Sequence, residues 1–407
     1  RELEDLRRRD AERAQRLREM EEKLDALDTR AETPPPAAPA EKADAGTALD
    51  RAIESLNETI SRPAGTDIAS KRVGGAKLRL IDVSLDALFY AGGSTERDAG
   101  LQTLQAGGHD PKKRGFTFAQ GELSLMGAVD PYFTAEAHLI FLLDPVEGET
   151  EVELEEAVAK TTALPWGLQL KAGQYFTEIG RINPTHPHAW DFSDQPLVNN
   201  RFFGPDGLRS PGARLSWLAP LPWYSELFGG VQNAIGETTE SFLANDEVFE
   251  ERAVGGRPFA DRDFRDAGDL LYAMRWANSV DLTEEITALA GASGLIGPNN
   301  AGRSTSTYIY GGDLTVKWRP RNAASQWPFV KWQSEAYQRI YEADGATFEN
   351  DPADPLDDLV VGDETFHDWG LYSQLLVGFA QGWVAGARYE YVSGSDDPTI
   401  ALDEDTG

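Results

Sequence analysis

His186 and His188 stand two positions apart, and Asp191 and Asp194 follow closely. Imidazole and carboxylate are ligand types that hold zinc. Zinc ligands usually sit on a regular helix or strand, however, and Pro184 and Pro187 break up this stretch. The expectation is therefore no metal here. Catalytic chemistry is as sparse. Without a single Cys the chain has no thiolate nucleophile, thiolate metal site or disulfide. It contains no Walker loop, dinucleotide fingerprint, Gly-x-Ser-x-Gly elbow or His-Glu-x-x-His. No Ser/His pair falls on neighbouring segments in the manner of a barrel lipase or protease. The chain is expected to be no enzyme and to need no cofactor. The chemistry that remains is electrostatic: Arg181, Arg201 and Arg209 share one segment with Asp191 and Asp194. What that arrangement does depends on the elements holding it.

The 407 residues carry a net charge of −30 with 10 Trp and 12 Tyr. Mean hydropathy is −0.44, and charges interrupt every apolar run long before the roughly 20 residues of a membrane helix. So acidic a surface repels phosphate, so nucleic acid is no expected partner. Low hydropathy does not exclude a membrane β-barrel, whose strands alternate and whose loops are polar.

From Lys77 onward the pattern has period two. Val83–Phe89, Gln120–Leu125, Phe133–Phe141, Ala213–Trp217, Tyr308–Trp318, Val330–Ile340 and Trp383–Tyr389 each alternate apolar with polar or small residues. About thirteen such segments can be counted, many near the 9–11 residues of a tilted spanning strand. No strong helical segment separates them, which argues against βαβ units. Short connections fall at Asp130-Pro131, Leu164–Gly167, Ala219–Trp223, Asn278–Asp281 and Ala380–Gly382. Long ones span 92–113, 176–211, 236–267 and 343–366. Short turns alternating with long loops, and Trp166, Trp223 and Trp327 beside the turns, fit an all-β antiparallel transmembrane barrel with aromatic girdles.

Leu168-Gln169-Leu170-Lys171-Ala172-Gly173-Gln174-Tyr175-Phe176, followed by Ile179-Gly180-Arg181, resembles a strand of the phosphate-selective porin family. Gly207-Leu208-Arg209-Ser210-Pro211-Gly212-Ala213-Arg214-Leu215 is similar to that family's lead into its next strand. The block from His186 to Phe192 resembles a branch of β-barrel outer-membrane proteins with an N-terminal coiled coil. The resemblance spans roughly 75–393 and implies a barrel of about sixteen strands, assembled as a homotrimer in the outer membrane. About thirteen strands here then imply a C-terminally truncated barrel over 75–407.

Phosphate selectivity is where the sequence departs from that family. Alternation points Arg214, Arg275, Lys317, Lys331, Arg339 and Arg388 into the lumen. The same register points Asp86, Glu122 and Glu136 inward, so the lumen is mixed rather than cationic. Much of the negative charge falls in loops, including Asp144 to Glu156, where it can meet cation-bridged lipopolysaccharide. The 176–211 segment differs from the other long loops in its aromatics and prolines. By resemblance to trimeric porins it folds inward as a constriction, placing Arg181, His186, His188, Asp191, Asp194, Arg201 and Arg209 at the aperture.

Residues 1–31 put Leu3, Leu6, Leu17, Met20, Leu24 and Leu27 on heptad a and d positions, the pattern of a short coiled coil. Residues 32–74 then form a Pro/Ala-rich linker with a short helix. On this reading the coiled coil lies in the periplasm. The expected function is passive diffusion of small hydrophilic solutes or ions through an outer-membrane porin. The alternative is a structural or adhesive anchor whose barrel carries acidic surface loops.

Overall fold

The computed structural model describes residues 69–394, apart from 74–75, 106, 129, 131, 145–147, 163, 252–253, 323–326 and 349–358. The coiled coil expected over 1–31, most of the 32–74 linker and the C-terminal residues from 395 lie outside the described residues. Contacts group residues 1–84 and 85–407 separately. In the first group, β1 (Ala69–Val73) pairs antiparallel with the start of β2 (Ala76–Gly92).

Fourteen of the strands form one antiparallel sheet, each pairing with the next of the fourteen in sequence. After β2 come β3 (Gly115–Ala128), β4 (Phe133–Leu143), β5 (Thr150–Thr161), β6 (Leu168–Phe176), β7 (Arg209–Leu218) and β8 (Tyr224–Asn233). There follow β9 (Leu270–Asp281), β10 (Ile286–Pro298), β11 (Ser306–Trp318), β12 (Phe329–Ala343), β13 (Glu364–Ala380) and β14 (Trp383–Ser393). The short β1 is the strand that alternation missed, since it precedes the first clear period-two segment. The β12–β13 ladder is continuous, with Phe329 facing Gly378 at one end and Ala343 facing Glu364 at the other.

The two sheet faces are inverted relative to a soluble protein. Along β12, Gln333, Glu335 and Arg339 are buried while Trp332, just before them, is exposed. Along β13, Asp368 and Gln374 are buried while Trp369, Leu375 and Phe379 stand outside. Leu85 (72% exposed), Met274 (58%) and Trp383 (68%) belong to the same outward face. Period-two side-chain alternation produces this directly, and so much apolar area outside requires an apolar surrounding.

Within the 85–407 group the sheet curls round one loop. Tyr90 on β2 donates to the Ser193 carbonyl (3.0 Å), and Arg388 on β14 donates to the Asp194 carbonyl (3.0 Å). Strands at the two ends of the 85–407 group therefore reach consecutive residues of one loop. Among the described residues no ladder joins β14 back to β2.

Two sequence expectations shift. Asn278 to Asp281, read as a turn, continue β9 with Asn278 opposite both Ala290 and Ser225. The turn comes just after, where the Ile286 amide donates to Thr283 Oγ1 at 3.1 Å. The acidic run read as loop to Glu156 is strand from Thr150 onward, because its Val and Leu residues alternate with the glutamates.

Candidate functional site

The connection between β6 and β7 lies within the curl. It contains a short helix, α1 (Leu197–Phe203), that periodicity did not reveal. Its Ile179, Ile182, Val198, Phe202, Phe203 and Leu208 are buried in one apolar cluster. Wall residues Leu271, Leu295, Ile309, Tyr337 and Tyr372 complete the cluster, together with Phe242 and Leu243 from the β8–β9 connection. Burial of such side chains contributes on the order of 2 kcal/mol each. Tyr175 and Phe176 are the last residues of β6.

Polar contacts fix the loop in register. Asn183 donates to the Thr177 and Leu208 carbonyls (2.9 and 3.1 Å) and accepts from the Leu208 amide (2.8 Å), tying the two loop ends together. Glu335 on β12, 1% exposed, accepts from the Arg181 and Ile182 amides (2.7 and 3.0 Å) and from the Tyr372 and Tyr337 hydroxyls. Gly180 has φ +59, and a Cβ there would lie 1.7 Å from Tyr337 Oη. Only glycine meets both conditions. Sequence reasoning missed Glu335 as an anchor, because alternation places it inward without naming its partner.

The charges assigned to the lumen meet partners one by one. Arg275 grips Asp313 with two nitrogens (2.7 and 3.1 Å) and donates to Ser293. Arg339 pairs with Asp368, which also takes Arg201 at 3.2 Å. Arg214 meets Glu178 (2.6 Å) and Gln169 (2.8 Å). Glu136 pairs with Lys160, and Lys317 lies over the Phe329 ring at 5.3 Å. Asp86 is half-buried on β2.

The expected opposition of Arg181, Arg201 and Arg209 to Asp191 and Asp194 is replaced by pairs with the wall. Asp191 takes Lys331 (2.7 Å) and Gln374 (2.9 Å), and Asp194 takes Arg388, which also contacts Glu390. Arg209 is 2% exposed, opens β7, pairs with Glu153 and donates to the Asp206 carbonyl at 2.7 Å. Arg181 anchors the loop through its backbone, and Arg201 keeps a partly exposed guanidinium.

A second cluster joins the loop to β3, β4 and β5. Glu122 Oε1 lies 2.8 Å from His138 Nδ1. Glu122 Oε2 lies 2.9 Å from His188 Nδ1 and 3.3 Å from His186 Nδ1. His186 also faces Glu155 Oε2 through Nδ1 (2.7 Å) and Glu156 Oε2 through Nε2 (3.1 Å). A register shift between His138 and Leu139 leaves one extra residue on β5, so consecutive Glu155 and Glu156 are both buried. The Pro184 and Pro187 read as disruptive frame a tight turn at Pro187–Ala189 that presents both histidines to the wall. Asp191 and Asp194, by contrast, are not in the cluster. The missed signal was the Glu155-Glu156 doublet, which breaks alternation.

Burial opposes a charge on His186, but the carboxylates of Glu122, Glu155 and Glu156 outweigh it and push its pKa up to about 12. The Glu122 carboxylate likewise raises His188. In the β2–β3 connection, burial drives His109 down to about 4 and Asp110 up to about 6.

No known family profile matches the chain. A protein of Aquifex aeolicus (strain VF5), named only as an uncharacterized protein, is 31% identical over an alignment of 347 positions that covers 78% of this chain. The chain spans 65% of the length of that relative. Among solved structures, a loop L8 deletion mutant of OmpT, an outer membrane protein of Vibrio cholerae, superposes with a TM-score of 0.35 and 8% identity. That match covers 68% of this chain and 86% of the other. OmpT in its trimer form gives a TM-score of 0.34 at 8% identity, over 69% and 83% of the two chains. None of these comparisons is to a phosphate-selective porin.

Proposed function

We propose that this chain is an outer-membrane porin, a passive channel for small hydrophilic solutes or ions, narrowed by the 176–211 segment. The observation that carries this reading is the inverted sheet. Its outward face is apolar and its inward face holds paired charges around an inserted loop, an arrangement suited to lipid outside and water inside. Arg275, Arg339 and Arg388 are matched by Asp313, Asp368 and Asp194, so these wall arginines form no row of free cations. The lumen therefore suits weakly selective passage better than phosphate capture. Homotrimer assembly and contact with lipopolysaccharide belong to the same proposal, as does a periplasmic position for residues 1–31.

One observation favours a second reading. The apolar cluster joining the two inserted connections fills part of the lumen, as a sealed barrel serving as an anchor for acidic loops would require. Planar-bilayer recording of the purified full chain separates the two. Steady conductance steps on the nanosiemens scale support a porin, and a silent, correctly folded protein supports the anchor.

A further inference from the structure

Glu122, His138 and His186 each bring one ligand atom within 4.8 Å of the others, and His188 meets the same Glu122 carboxylate at 2.9 Å. Three imidazoles thus converge on one carboxylate, drawn from β3, β4 and a turn of the inserted loop. The nitrogen-to-oxygen separations of 2.8 Å for His138 and 3.3 Å for His186 approach the roughly 3.3 Å edge of a tetrahedron with ligands about 2.05 Å from zinc. A second observation is independent of that spacing. Glu155 is fully buried beside the cluster, and neither of its carboxylate oxygens has a hydrogen-bond partner. Its Oε2 stands 2.7 Å from His186 Nδ1 but outside hydrogen-bonding geometry. Apart from the histidines, the three buried carboxylates Glu122, Glu155 and Glu156 meet one lysine, Lys171, at 3.4 Å from Glu156. A buried carboxylate without hydrogen bonds is costly unless a cation offsets it.

We propose that His138, His186 and Glu122 bind one divalent transition-metal ion of the zinc type, with His188 positioning the Glu122 carboxylate and Glu155 supplying charge balance. Imidazole with carboxylate selects borderline metals, whereas calcium and magnesium prefer all-oxygen sets. The ion ties the loop turn at Pro187–Ala189 to the wall. It complements the Glu335 anchor, which holds the loop's other side. The site does not depend on the lumen conducting, so a failure of the channel reading leaves it standing.

The test uses the full chain in detergent, stripped with EDTA and titrated calorimetrically with Zn²⁺, then with Co²⁺ under a visible-absorption readout. The expected result is one tight site per chain and an intense cobalt d–d band. In H138Q/H186Q the affinity falls at least about 100-fold, while H367Q, altered on β13, binds as the parent does. Zinc-edge X-ray absorption of the loaded parent needs no variant and should show imidazole scattering from two or more histidines. Absence of a one-per-chain site, an all-oxygen shell, or affinity unchanged in a folded H138Q/H186Q would overturn the proposal.

Discussion

Replacing Glu335 by Ala tests how the inserted loop is held. The carboxylate satisfies four donors: the Arg181 and Ile182 amides and the hydroxyls of Tyr337 and Tyr372. A buried donor left without a partner costs about 1–3 kcal/mol. Water entering the vacated volume holds each cost near the lower end, so the loop should lose about 4 kcal/mol of local stability. At 1.4 kcal/mol per decade, the Arg181 and Ile182 amides should then exchange about 10³-fold faster, provided they open locally rather than with the whole barrel. Glu335→Gln keeps one oxygen for the two amides, and the tyrosine hydroxyls can rotate to accept from the new amide. Its acceleration should be about tenfold. Hydrogen exchange followed by mass spectrometry on peptides covering 177–185 reads both. Equal exchange in the parent and in folded Glu335→Ala would refute the anchoring argument.

Three further outcomes follow. Gly180→Ala combines a left-handed backbone with an overlap on Tyr337 and should cost roughly 2 kcal/mol or more in folding equilibria. A smaller cost would mean the loop can withdraw from β12. Leu375→Arg on the outward face of β13 should cost about 2–4 kcal/mol near the bilayer midplane, measured by folding into vesicles, and no cost would contradict the assigned face. Asp110 is protonated in the folded chain up to about 6 but ionises near 3.8 when unfolded. Its contribution is therefore full below 3.8 and lost as pH rises through 6. Relative to Asp110→Asn, the parent should lose about 2 kcal/mol between pH 4 and 6, and a flat difference would remove that burial effect.

The sheet was legible because strand alternation is a local signal: a period of two in Phe133–Phe141 or Val330–Ile340 marks a face without knowledge of the partner strand. Glu122, Arg214, Arg275 and Arg339 fell inward for that reason. The alternation of short and long connections gave topology as well, since a meander needs no crossover. Partners were not legible. Nothing local in the sequence couples Glu335 to Arg181, or His186 to Glu156, because those contacts arise only once the sheet curls round the loop. The bulge that turns both Glu155 and Glu156 inward was hidden for a different reason. Period-two reading assigns one of any consecutive pair outward, and an acidic run looks like solvated loop. The prolines of 184–187 misled in the same way, because proline fixes a turn as readily as it breaks a strand.

Single-channel conductance of the parent and of a chain lacking residues 184–204, recorded in the same bilayer, tests the central claim most directly. That deletion removes α1 and the His186–His188 turn while leaving Arg181, Ile182 and Asn183 on their anchors. A constricting loop predicts steady steps in the parent and several-fold larger, less selective steps in the deletion. Equal conductance in two correctly folded proteins, or silence in both, would contradict it.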